Sequence, residues 1–328
     1  MNLLLLINNK INNKLALVFV AKYGTLIGML IMLVGFSLSK PNVFPSTTNL
    51  TNILNQSALT AIIAGGLTLA LIVGEMDLSI GYNASMAGVL VTGLIVEQNF
   101  PIWLAISSVI LIGAFVGFIN GIIVTKLKVN SVIATLGTGS IVQGITFAYS
   151  QGVPIASGVP AAFKNISLGR TFSIPNNILI MLGVLLILWI LVNRTEWGQQ
   201  LQATGGNIEA AKLSGIRVDN VKSMAFMITG AAAALTGILL ASLIGSGTAR
   251  AADGYLMASF AAVFLGSATL RDGEFHILGT LIGVLIIQIG FNGMAIFGVP
   301  VFYQDIFRGA ILILAVGLST VARRLSKN

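Results

Sequence analysis

The sequence predicts an all-α integral membrane protein with about ten transmembrane helices and both termini in the cytoplasm. Three observations lead there. Of 328 residues, 56% are hydrophobic and only 9% are charged, with a mean hydropathy of +0.95, whereas soluble domains carry about 25% charge. Apolar runs long enough to cross a bilayer recur along the whole chain. The basic residues fall mostly on one side of those runs. Other classes fall away on composition. There is no cysteine and one histidine, so a disulfide scaffold and a zinc site are not expected, and no metal or cofactor is called for. The net charge of +8 is not gathered into a basic domain, so nucleic acid is not an expected partner.

A crossing helix needs about 20 mainly apolar residues, because a rise of about 1.5 Å per residue must span about 30 Å of hydrocarbon. Ten runs qualify, near 23–39, 57–74, 79–97, 102–125, 131–150, 176–193, 223–245, 255–270, 277–297 and 304–321. Runs 79–97 and 255–270 are diluted by Asn83 and several Ser and Gly residues. They are candidates for broken or re-entrant segments. With the N-terminus inside, thirteen Lys and Arg fall in cytoplasmic stretches and four (Lys40, Lys164, Arg170, Arg250) outside, with Arg308 in the last run. That bias requires an even number of crossings.

Residues 1–22 carry Asn-Asn-Lys twice within their apolar stretch and no small-residue cleavage site. They are expected to form an amphipathic cytoplasmic lead, not a signal peptide. Residues 23–321 are expected to form a single membrane domain and 322–328 a cytoplasmic tail. The small-residue spacings in GAFVGFINGIIV (113–124) and GTLIGVLI (279–286) predict close helix–helix packing in lipid.

The longest expected inner loop, 194–222, holds much of the charge. After Asn207 its pattern is helical: Asn207 is a fair N-cap, Glu209 sits where the helix dipole favours an anion, and Gly215 ends about two turns. Ala210 and Ala211 would give a flat docking surface, with Glu209, Lys212 and Arg217 setting register by charge. The plainer alternative is a solvated connecting helix. If this helix is such a coupling contact, a bulky residue at Ala211 is expected to uncouple transport while leaving the protein in the membrane.

Within the apolar runs, Asn83, Asn120, Gln143, Gln288 and Asn292 either line a hydrophilic path or hydrogen-bond between helices. Asp77 either caps the run that begins after Asp77-Leu78-Ser79 or belongs to the path. An ion-coupled secondary transporter would need a buried ionisable relay, and the runs offer little beyond the Asp77 region and Arg308. No nucleophile–base cluster that would make an enzyme can be read.

Several of these stretches resemble a known family. Glu-Ala-Ala-Lys-Leu-Ser-Gly at 209–215 is similar to the E-A-A-x3-G element of ABC importer permeases. VGEMDLSIG (73–81), VNSVIATLGTGSIVQG (129–144), ATGGNIEAAKLSGIRVDNVK (203–222), GYLMASFAAVFLGSATL (254–270) and GTLIGVLIIQIGFNGM (279–294) resemble, in order, segments of ribose-type simple-sugar permeases. The sequence departs from that pattern at Glu75-Met76, at Gly266-Ser267 and at 271–276, and it lacks the Ile-x-Leu-Pro tail of the general importer element.

The resemblance implies the permease subunit of an ABC importer in a bacterial inner membrane, moving a ribose-like pentose, a hexose or a related polyol by alternating access. A branched-chain amino-acid permease is the nearest alternative. The chain has no G-x-x-x-x-G-K-[ST], so it is not expected to be an enzyme, and ATP hydrolysis falls to a partner. Expected partners are a cytoplasmic P-loop ATPase, a second permease copy or paralogue, and an extracytoplasmic solute-binding protein meeting outer loops 40–56 and 151–175. Coupling to the ATPase is assigned to Gly205, Gly206, Asn207, Glu209, Ala210, Ala211 and Gly215, and the path to Asp77, Asn83, Asn120, Gln143 and Asn292.

Overall fold

The computed structural model describes residues 23–269 and 273–326. The expected lead at 1–22 and the departing Arg271 and Asp272 lie outside them. Thirteen helices are described: α1 (Tyr23–Ser39), α2 (Thr47–Ile72), α3 (Ile80–Val96), α4 (Ile102–Thr125), α5 (Ser131–Ser150), α6 (Ala161–Leu168), α7 (Asn176–Arg194), α8 (Glu196–Gly206), α9 (Ile208–Leu213), α10 (Val218–Ile244), α11 (Asp253–Ser267), α12 (Ile277–Ile296) and α13 (Phe302–Ser326). A two-residue hairpin pairs β1 (Arg170–Thr171) with β2 (Ile174–Pro175) in antiparallel register.

Each of the ten apolar runs coincides with a helix. Six of these helices (α2, α4, α5, α7, α10 and α12) are long and apolar enough to cross a membrane by length and composition, while α1 and α3 are shorter apolar helices. The two diluted runs are unbroken helices, α3 with 17 residues and α11 with 15. Elements not anticipated are α6, the hairpin and α8. The hairpin turns at Phe172 and Ser173, both with positive φ, and leaves Phe172 93% exposed. α8 begins with the side chain of Thr195 accepting from Gly198 N–H at 3.1 Å.

The described residues form two compact units, Leu54–Ser259 and the combination of those up to Ile53 with those from Phe260 onward. In the first, α10 packs along α4 and α3. The α4–α10 seam is made by Gly113, Gly117 and Gly121, one turn apart. A Cβ on Gly117 would lie 2.1 Å from the carbonyl oxygen of Phe226, and one on Gly121 2.6 Å from Ser223 Cα. Gly230 answers from α10, where a Cβ would lie 2.2 Å from Gly113 O. Lipid tails are as apolar as leucine, so helices in lipid gain little from hydrophobic burial, and backbone approach of this kind supplies dispersion contact instead. The apolar interior of this unit includes Ala87, Val91, Val109, Phe163, Ala234 and Ile238.

In the second unit, α12 meets α11 through a similar seam. A Cβ on Gly279 would lie 2.4 Å from Gly266 O, and one on Gly283 2.0 Å from Ala262 O. Phe44, Ile53 and Ile289 are buried there, with Met29, Met32 and Phe36 packed against them.

Candidate functional site

The loop between α7 and α10 folds as two short helices meeting at Asn207. The Asn207 side chain accepts from the backbone N–H groups of Glu209 and Ala210, both at 3.0 Å, and so caps α9. Lys212 pairs with Glu209 at 2.8 Å, and Gly215 takes the left-handed conformation (φ +81°) that reverses the chain. Two anticipated roles therefore have the expected geometry: an N-cap and a terminating glycine.

The surface differs in detail. Ala211 is only 3% exposed, whereas Ala210 faces outward and Leu213 is 90% exposed. The apolar knob of α9 is Leu213, a position the alanine pattern did not single out. Gly206 has open space around its Cα, but a Cβ on Gly205 would lie 2.0 Å from Ile72 O, so the end of α8 abuts the end of α2. A cleft of about 350 Å³ opens beside this loop, lined by residues that include Trp197, Gln200, Gly215, Arg217, Asn220 and Met224.

The α2–α3 turn is the second part of the site. It is laced to its neighbours by side-chain bonds: Ser131 Oγ accepts from Met76 N–H at 3.2 Å, and Thr135 Oγ1 accepts from Leu78 N–H at 3.0 Å. Asp77 is buried, and its Oδ1 accepts from the backbone N–H and the hydroxyl of Ser79 at 2.9 and 2.6 Å. Asn120 donates to Ser79 Oγ at 2.9 Å and accepts from Thr138 Oγ1 at 2.5 Å. The result is one polar chain from the turn through α4 to α5. Asp77 Oδ2 has no hydrogen-bond partner. Burial pushes this carboxyl, which lies in the turn outside both helices, up to about 6, because desolvation penalises the charged form.

Of the residues expected along a path, only Asp77 and Asn120 are brought together. Asn83 donates to the carbonyls of Gly113 and Gly230, at 3.1 and 3.2 Å, where α3, α4 and α10 meet. Gln143 donates to Ala249 O at 3.1 Å. Asn292 forms a reciprocal amide pair with Asn49, at 2.8 and 2.9 Å, in the other unit. Its partner Asn49 was not anticipated; nor was a nearly buried ion pair, Lys222 Nζ to Glu75 Oε1 at 2.5 Å, which ties the start of α10 to the α2–α3 turn. Both charges are visible in the sequence, but no local signal pairs residues 147 apart.

Residues 49–316 match the family model described as the permease component of the branched-chain amino acid transport system. The chain belongs to this permease family. Among its relatives, the ribose import permease of Bacillus subtilis (strain 168) is 38% identical over 296 residues, covering 90% of this permease and 91% of the relative. The D-allose transport system permease of Escherichia coli (strain K12) is 32% identical over 297 residues, covering 90% and 91%. The galactose/methyl galactoside import permease of the same organism is 32% identical over 326 residues, covering 94% and 97%. No solved structure matches the chain.

The family match takes in both parts of the candidate site, the α2–α3 turn and the α8–α9 loop. The chemistry available there is positional. Among the described residues no group of three or more His, Cys, Asp or Glu side chains gathers to hold a metal.

Proposed function

We propose that this permease is the membrane-spanning subunit of an ABC importer that carries a simple sugar across the plasma membrane of a bacterium. The observation that carries this reading is the correspondence, over nine-tenths of both chains, with permeases named for ribose, allose and galactose. A pentose and two hexoses share a ring bearing several hydroxyls, which amide and hydroxyl side chains hold by hydrogen bonds. The ten helices that coincide with the ten apolar runs, and the thirteen-to-four bias of basic residues, support ten crossings with both termini cytoplasmic. On that topology residues 23–321 work as one permease domain, residues 1–22 lead into it, 322–328 trail it, and the α8–α9 loop faces the cytoplasm.

The division of labour follows. A P-loop ATPase docks on α9, whose cap at Asn207, charge pair Glu209–Lys212 and apolar knob Leu213 make a rigid, oriented contact. Gly205 and Gly215 let the loop lie close against α2 and reverse direction, while Ala211 packs it inward. A second permease subunit and an extracytoplasmic solute-binding protein complete the importer. The polar chain Asp77–Ser79–Asn120–Thr138 contributes to the path. Asn83 and Asn292 hold helices together, and Gln143 ties α5 to the segment between α10 and α11.

The test is mild-detergent purification of the tagged permease from its native membrane, with mass spectrometry of what accompanies it. A P-loop ATPase near equal stoichiometry is the expected result. The solute-binding protein recovered with it is then expected to gain thermal stability with pentoses or hexoses. Repeated recovery of a chain that transports alone would overturn the importer reading. The family description names branched-chain amino acids, and stabilisation by leucine or valine but by no sugar would move the substrate to that class.

A further inference from the structure

The first turn of α10 carries Asp219 and Lys222, three residues apart and of opposite charge, and each grips a different inter-helix turn. Asp219 receives Lys126 and Lys128 from the α4–α5 turn at 3.1 and 3.5 Å. Lys222 Nζ donates to Glu75 Oε1 in the α2–α3 turn at 2.5 Å. The two contacts differ in exposure. The lysines on Asp219 are 61% and 72% exposed, while the side chains of Lys222 and Glu75 are 13% and 14% exposed. Water and salt screen the first contact, which therefore yields. Separating the second would leave each charge in a poorly solvated place, so it holds.

α10 begins three residues after Gly215, the residue that ends the α9 turn. The turn that Glu75 belongs to also carries the bonds to Ser131 and Thr135 and the chain Asp77–Ser79–Asn120–Thr138. We propose that the Glu75–Lys222 ion pair is the positioning contact through which displacement of the α8–α9 loop reaches the α2–α3 turn and, through it, the polar chain into α4 and α5. The inference rests on the coupling role given to α9 above. The pair transmits motion; it touches neither nucleotide nor sugar.

The experiment uses the whole importer purified from its native membrane and reconstituted in liposomes, with sugar uptake and ATP hydrolysis measured together. Glu75→Gln and Lys222→Met are expected to lower uptake about tenfold while hydrolysis stays within about twofold, so that more ATP is spent per sugar. The exchange Glu75→Lys with Lys222→Glu restores uptake to within about threefold of the original. Lys126→Gln with Lys128→Gln leaves the ratio within about twofold, because that contact is exposed.

Normal coupling in both single variants overturns the proposal. So does an exchange variant that accumulates without recovering uptake, or one that fails to accumulate, since the pair is then a folding staple. Should the single variants fail to accumulate, recovery of uptake in the exchange variant supports the proposal. Absence of an ATPase from the unmodified complex is a separate failure: it removes the importer reading and this inference with it.

Discussion

The cap at Asn207 satisfies two of the N–H groups that a helix start leaves open. Asn207→Ala should therefore loosen α9 by about 1 kcal/mol, seen as faster amide exchange at 209–213 with the rest of the protein unchanged. Docking is better probed at Leu213 than at Ala211. Leu213→Asp should abolish ATPase recovery without loss of permease, because the side chain is 90% exposed. Ala211→Trp should overpack the protein's own interior, by about 1–3 kcal/mol, and confuse the reading. Asp77 gives a pH signature. Its folded pKa lies above its unfolded value, so protonation favours the folded state, and stability falls as pH rises from about 4 to about 6 and is level above that. Asp77→Asn should remove this part of the slope in thermal unfolding of the purified permease; an unchanged slope would mean Asp77 is ionised throughout. The cap and the terminating glycine were legible because they are local: side chain and backbone lie within three residues. Asp77 was legible on the same ground, since its partner Ser79 is two residues away; the partners of Asn83 and Asn292 were not, because each lies on another helix.

At the scale of elements, each apolar run falls on a helix, and six of those helices are long and apolar enough to cross a bilayer. α8, α6 and the hairpin escaped notice for the opposite reason: they are short and polar or mixed, so no period stands out over so few residues. The glycine spacings were more informative. The 113–124 stretch pointed to a close seam, and the structure supplies its partner, α10, which the spacing alone does not name. Gly117→Leu should prevent correct packing outright, because the clash is with the Phe226 carbonyl and no side chain can move aside. Loss of a monodisperse peak in detergent checks this. Gly137→Leu, at a position with nothing within 4 Å in the structure, is the matched control and should leave the peak intact.

For the molecule as a whole, the absence of cysteine turns topology into a clean experiment. Leu213→Cys and Phe172→Cys are both highly exposed, and on ten crossings they lie on opposite sides of the membrane. A membrane-impermeant maleimide applied to intact cells with a permeabilised outer envelope should label the second and spare the first. Labelling of both, or of neither, would break the ten-crossing scheme. The α4–α10 seam also sets a schedule for biogenesis. Its two halves leave the ribosome about 90 residues apart, which at roughly 5–20 residues per second is several seconds or more. Through that interval α4 waits in the bilayer with its glycine face unmatched by α10. An insertase or chaperone that shelters a newly inserted helix would find its client in that interval, and slowing synthesis between residues 125 and 218 would lengthen the time α4 has to find a wrong neighbour.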